Sequence, residues 1–161
     1  MPMRHLILMG GIPGSGKSTY SAKLIEGKKN GFILNADDVR KEFTGSYAIM
    51  TEPTSLVWDE VIRRANEYLA KHDECTLIID STFLTDERRK YYLERLENYD
   101  KLTHILIKFH DYSICYERNK LRDREKWVPE PVMDAMLASY KDPSPEIAKR
   151  FDEIKVVYKD E

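Results

Sequence analysis

Near the N-terminus, Gly11-Ile12-Pro13-Gly14-Ser15-Gly16-Lys17-Ser18 fits the pattern GxxxxGK[ST] at every fixed position. The chemistry such a stretch supports is the binding of a triphosphate. Backbone amides must approach phosphate oxygens closely, in conformations that a Cβ would obstruct, and this explains the glycines at 11, 14 and 16. Lys17 would set its ammonium on the β- and γ-phosphates, and Ser18 would offer its hydroxyl to Mg²⁺, with Pro13, Ser15 and Thr19 completing the cradle. The loop follows an apolar run and opens a helical pattern, so the positive end of a helix points at the anion. That context favours ATP binding over a chance match in a glycine-containing turn.

A phosphate loop leaves the acceptor open. Asn35-Ala36-Asp37-Asp38-Val39-Arg40 closes a second apolar run, and in a parallel sheet that end lies on the same edge as the phosphate loop. Asp37 can there take the proton of an attacking hydroxyl. Arg40, three residues on, shares a helix face with it and can clamp an anionic group of the acceptor. Spacing alone equally allows Asn35 or Asp37 to be a helix cap and Arg40 a solvated charge. Asp80-Ser81-Thr82 ends a third run. Asp80 either assists Mg²⁺ through water or stabilises the turn that follows, and Thr82 has comparable options. Ser81 stands where hydrolytic P-loop ATPases carry an activating carboxylate, which favours transfer to an acceptor over hydrolysis for work. Arg118, Lys120, Arg122, Arg124 and Lys126 form a basic cluster. Arg118 and Arg122 are four apart on one helix face and can close over ATP, neutralising charge on the transferred phosphoryl group. Glu117, Asp123 and Glu125 interleave with them, so a salt-bridged solvated helix is the competing assignment.

The elements that must hold these groups are legible as alternating apolar runs and turn signals. Strands are expected at His5–Met9, Phe32–Leu34, Thr76–Asp80, Ile105–Phe109 and Ile154–Tyr158. Helices are expected from Gly16 to Glu26, from Asp37 to Phe43 entered through Asn35, and, after the fourth strand, through about Asp123. A long helix buries Trp58, Val61, Ile62, Ala65 and Leu69 at three- and four-residue spacing. Thr85 caps a helix whose first turn carries Asp86 and Glu87. Pro129 and Pro131 punctuate the entry to a helix over Val132–Tyr140, and Asp142–Pro145 is a loop. Tyr47 and Trp127 can stack a base, but burial in the core is the preferred assignment for either. The alternation predicts a three-layer α/β/α domain of the P-loop NTPase type over residues 1–161, with a mostly parallel five-stranded sheet and a helical lid.

The composition of the 161 residues, 42% hydrophobic and 34% charged, suits a globular domain large enough for its own core. Lys and Arg number 26 against 28 Asp and Glu, a net charge of −2 that argues against a wholesale nucleic-acid coat but allows a local basic groove. Cys75 and Cys115 show no metal or disulfide spacing, which with the lack of an 18-residue apolar run leads to an expected cytoplasmic setting without membrane contact. Oligomeric state is left open.

Taken together, the phosphate loop, Asn35–Arg40, Asp80-Ser81-Thr82 through Glu87-Arg88-Arg89, Glu117-Arg118-Asn119 with Arg122, and Val128-Pro129 ahead of a helix bearing Met133, Met136 and Tyr140 resemble the P-loop 5′-polynucleotide kinases. The likeness is to the kinase domain of the phage-type kinase–phosphatase, and it runs along nearly the whole chain. It implies ATP and Mg²⁺ as cofactors and a 5′-hydroxyl nucleic-acid end, DNA or RNA, as substrate. It implies Asp37 as general base, Arg40 on the acceptor's phosphate, and Arg118 and Arg122 in the lid. Two features depart from the pattern: Phe83 stands where Asn usually follows the Asp-x-Thr motif, and the chain has no phosphatase DxDGT signature. Because Asp-x-x-Arg is shared with zeta-toxin-like and small-metabolite kinases, a sugar, nucleoside or nucleotide-sugar kinase is the alternative. A non-catalytic nucleotide switch or NTPase is a further one.

Overall fold

The computed structural model describes residues 2–161. Five strands, β1 (Arg4–Gly10), β2 (Gly31–Asn35), β3 (Cys75–Asp80), β4 (Lys101–Lys108) and β5 (Glu153–Tyr158), form one parallel sheet in the order β2-β3-β1-β4-β5. The three central strands are almost continuously buried, and all of β3 is, as a parallel sheet covered on both faces requires.

The helices are α1 (Lys17–Ile25), α2 (Ala36–Thr44), α3 (Ser55–Lys71), α4 (Asp86–Leu93), α5 (Ser113–Leu121), α6 (Glu130–Ser139) and α7 (Pro145–Ala148). One face of the sheet packs Leu6, Leu8, Leu77 and Ile79 against Val39 of α2, Val57, Val61 and Leu69 of α3, Tyr92 of α4 and Ile147 of α7. The other packs Ile7, Met9, Ile78 and Ile107 against Leu24 of α1, Cys115 of α5 and Met133 of α6. This is the P-loop NTPase-type α/β/α sandwich expected from the alternation of elements. No described helix is long and apolar enough to cross a membrane. Cys75 and Cys115 are free and buried.

Most element ends shift by one or two residues from their expected bounds, and two departures are larger. Strand β4 starts at Lys101, before the apolar run, because its polar residues are satisfied inside the sheet. The Thr103 hydroxyl meets His5 Nε2 at 2.8 Å, and His104 is fully buried between partners. The Arg89 Nε can only donate, so His104 Nε2 accepts from it at 3.3 Å, and its Nδ1 donates to the Leu8 carbonyl at 2.9 Å. The segment after Asp142 does not stay a loop: Ser144 caps α7 by accepting from the Ile147 amide.

Register carries the functional consequence. Asp80 lies level with Met9 on one side and Asn35 on the other. The loops leaving β1, β2 and β3 therefore open side by side at one edge of the sheet, the position at which open parallel sheets bind ligands.

Candidate active site

Between β1 and α1 the backbone is shaped by glycines. Gly14 (φ 79°) and Gly16 (φ 85°) are left-handed, and a Cβ on Gly14 would stand 2.3 Å from the Cys115 carbonyl oxygen. Gly16 is the residue before α1, so the first amides of that helix point at whatever the loop encloses. Lys17 folds its Nζ back over the loop, donating to the Gly11 carbonyl at 2.7 Å and lying 3.7 Å from Asp80 Oδ1. The Ser18 hydroxyl donates to Asp80 Oδ2 at 3.2 Å. Asp80 is 3% exposed, and burial pushes its carboxyl up from the usual range although the Lys17 ammonium and the Ser18 hydroxyl pull the other way. Ser15 Oγ is buried with no hydrogen-bond partner.

These features fit a nucleotide with Mg²⁺. The loop backbone is left-handed at Gly14 and Gly16, and a lysine, a hydroxyl and a buried carboxylate converge beside it. No group of three or more His, Cys, Asp or Glu side chains is gathered as a self-sufficient metal site among the described residues. A cation held by Ser18 and Asp80 would thus take further ligands from phosphate oxygens and water, as Mg²⁺ does.

Asn35 ends β2 and caps α2, its side chain accepting from the amides of Asp37 and Asp38 at 2.8 and 3.1 Å. The cap fixes the first turn of α2 and so aims Asp37 and Arg40. The capping role thus falls on the Asn35 side chain and leaves those of Asp37 and Arg40 available to the cavity. Arg40 Nη2 donates to Asp37 Oδ1 at 2.8 Å and its Nη1 to the Tyr47 carbonyl at 2.8 Å. Asp37 Oδ2 has no partner among the described residues.

All these groups line one cavity of about 720 Å³. Pro13 to Thr19, Asp37, Arg40, Asp80 and Thr82 face it, as do Arg118, Arg122 and Lys126. Gly11 lies beneath the loop and supports it, its amide donating to the Thr82 carbonyl at 3.1 Å. The basic cluster divides. The Arg118 guanidinium lies 3.6 Å from the Cβ position of Gly16. Arg122 sits at the C-cap of α5, its carbonyl held by Trp127 Nε1 at 2.8 Å. Lys120 instead pairs with Glu130 at 3.2 Å, and Arg124 packs on Trp127.

The preference for the core at Tyr47 and Trp127 does not hold. Tyr47 and Trp127 line the cavity together with Met50, Val128, Val132 and Met136, and Trp127 is 41% exposed. An aromatic residue type alone does not distinguish a core from a cavity wall. Phe83 is fully buried, edge-on to Tyr92 and His104, and does not line the cavity. Position 83 therefore offers an acceptor no contact in this chain. Arg88 and Trp58, neither singled out for chemistry by spacing, also line the cavity.

Comparison with known proteins agrees with this architecture. A family model described as an AAA domain, AAA_33, matches residues 6–143, and the chain belongs to that family. No curated protein matches it in sequence. Among solved structures, a sugar kinase from Janibacter sp. HTCC2649 is 19% identical, with a TM-score of 0.66 over 98% of this chain and 86% of that one. A fungal RNA kinase is 16% identical, with a TM-score of 0.64 over 100% of this chain and 40% of the other. A chain of the Pnkp1/Rnl/Hen1 RNA repair complex is 19% identical, with a TM-score of 0.67 over 94% and 47%. The chain is a nucleotide-binding P-loop protein with a kinase-type fold, and its neighbours include kinases of both sugars and RNA.

Proposed function

We propose that the chain is an ATP- and Mg²⁺-dependent polynucleotide 5′-hydroxyl kinase. The observation that carries the proposal is the Asp37–Arg40 pair at the end of β2, facing Lys17 and the phosphate loop within one cavity. Arg40 fixes one oxygen of Asp37 and leaves Oδ2 free, which suits a carboxylate that must accept a proton from a defined direction.

In the proposed reaction the loop amides and Lys17 hold the triphosphate. The 5′-hydroxyl oxygen forms a bond to the γ-phosphorus while the bond to the β,γ-bridging oxygen breaks, and ADP departs with that electron pair. Asp37 takes the hydroxyl proton and later releases it to water. Arg118 and Arg122 lie where they can neutralise charge on the phosphoryl group in transit, and Arg40 lies where it can meet an acceptor phosphate. Mg²⁺, when held by Ser18 and Asp80, supplies further charge withdrawal from the phosphate oxygens. The aromatic and apolar mouth offers Tyr47 and Trp127 as surfaces for a base.

The test is transfer of labelled γ-phosphate to 5′-hydroxyl DNA and RNA oligonucleotides, with 5′-phosphorylated strands, sugars and nucleosides as comparison acceptors. Labelling is expected only with a free 5′-hydroxyl. Asp37→Asn is expected to lower kcat by about 10²–10⁴-fold, the range for a lost general base, with ATP affinity retained in calorimetry. Transfer to sugars alone would replace this reading with the small-molecule one. Acceptor-independent hydrolysis indifferent to Asp37→Asn would replace it with a nucleotide switch.

A further inference from the structure

Most arginines in the molecule meet an oxygen: Arg4 meets Asp100, Arg64 meets Glu42 and Glu60, and Arg89 meets Asp86 and the Lys141 carbonyl. Arg88 is different. It is half-buried on α4, yet its guanidinium has no carboxylate or hydrogen-bond acceptor among the described residues. Its one close companion is Trp58, with the guanidinium carbon 3.5 Å from the ring centroid. Trp58 is itself held edge-on by Tyr91, ring centroids 5.2 Å apart. The Tyr91 hydroxyl is in turn anchored on Asp59. Burial pushes the Arg88 guanidinium down from its ordinary value; Tyr92 and the Glu87 carboxylate pull weakly the other way, and the like charge of Arg40 adds to the lowering.

A guanidinium moved partly out of water without an anion is costly unless a ligand supplies one. Stacking one face on an indole leaves the coplanar N–H edge free, in the fork geometry that matches two phosphate oxygens. Both Arg88 and Trp58 line the cavity that also holds Asp37, Arg40 and Thr82, and Arg88 is near enough to Arg40 for their like charges to interact. In a nucleic-acid end, the anion adjoining the nucleoside with the free 5′-hydroxyl is its 3′-phosphate.

We infer that Arg88, braced on Trp58, forms with Arg40 a phosphate subsite for the acceptor. The subsite takes the 3′-phosphate of the terminal nucleoside. This inference rests on the polynucleotide kinase reading and deepens it: Arg88 makes an anionic acceptor preferable to a neutral one, and a sugar would leave it without a partner.

Two measurements test it. The first is calorimetric binding of adenosine 3′-monophosphate and of adenosine to the ADP-bound protein, for the wild type, Arg88→Ala, Arg88→Gln, Arg88→Lys and Trp58→Leu. The wild type is expected to prefer the 3′-phosphate by about tenfold or more. Arg88→Ala and Arg88→Gln should abolish most of that preference, and Arg88→Lys should restore only part, since an ammonium lacks the planar fork. Trp58→Leu should weaken it by several-fold, and ADP affinity should stay within about twofold throughout. The second is steady-state transfer, in which Arg88→Gln should raise KM for a 3′-phosphorylated acceptor by about tenfold or more with little change in kcat, and leave KM for a neutral nucleoside unaltered. A wild type that binds adenosine 3′-monophosphate no better than adenosine overturns the inference. So does a preference untouched in Arg88→Gln, or equal losses with charged and neutral acceptors. Absence of transfer with an Arg88-dependent preference intact would instead count against the kinase reading while leaving the subsite standing.

Discussion

His104 shows how a residue that looks polar in sequence becomes a fixed structural part. It accepts from Arg89, donates to the Leu8 carbonyl and stacks on Phe151. Burial, with the Arg89 charge alongside, lowers its pKa to about 4. The unfolded chain, with an ordinary histidine near 6.5, binds the proton first as pH falls. Stability associated with neutral His104 is therefore complete above about 6.5 and is lost progressively down to about 4, an effect on the order of 3 kcal/mol at most. Urea unfolding at pH 7 and pH 4.5 should show a steeper loss for the wild type than for His104→Gln, which removes this titration. Equal losses in the two proteins would mean that the carboxylates alone govern the acid limb. Asp37 and Arg40 belong to the same level of description: their residue types and spacing were legible as a possible base and clamp, whereas their mutual 2.8 Å contact was not.

Among the elements, the loop from Gly11 to Ser18 and the helix it opens work as one unit, and Gly14 is where that unit touches α5. Alanine there would bring a Cβ to 2.3 Å from the Cys115 carbonyl oxygen and 3.1 Å from its carbon. Backbone cannot yield as the end of a side chain can, and the left-handed φ adds about 1 kcal/mol or more of strain. Gly14→Ala is expected to displace the loop, lowering nucleotide affinity at least tenfold in calorimetry, with a melting temperature reduced by several degrees and the sheet intact by circular dichroism. Unchanged ATP affinity would show that the loop tolerates the shift. The short helix after Ser144 and the early start of β4 escaped the pattern of apolar runs. Their ends depend on a single serine cap and on buried polar pairs, and neither produces periodicity.

Across the fold, the order β2-β3-β1-β4-β5 makes β1, β3 and β4 interior strands and leaves β2 and β5 at the edges. The interior strands exchange hydrogen bonds on both sides and are buried on both faces, while several β5 side chains, Val156 among them, face solvent. Native-state hydrogen exchange should find the slowest amides at Leu6–Met9, Leu77–Ile79 and Ile105–Ile107, opening only with global unfolding, and faster exchange along Glu153–Tyr158. Comparable protection in β5 would indicate that its outer edge is covered in solution. The same order brings Asp80 level with Met9 and Asn35, so the groups proposed for chemistry come from residues far apart in the chain.

The phosphate loop, the alternation of strands and helices and the Asn35 cap were all readable before any fold was known. Each is encoded within a few consecutive residues: glycines for a left-handed backbone, a lysine and a hydroxyl at fixed offsets, a carbonyl side chain ahead of two free amides. Folding alone decided which of the basic residues between 118 and 126 face the cavity, that Tyr47 and Trp127 line its mouth, and that Phe83 turns into the core. It also brought Arg88 of α4 onto Trp58 of α3. The reason is physical: such pairings join residues distant in sequence, and their energies arise from burial and stacking between elements that no local pattern specifies.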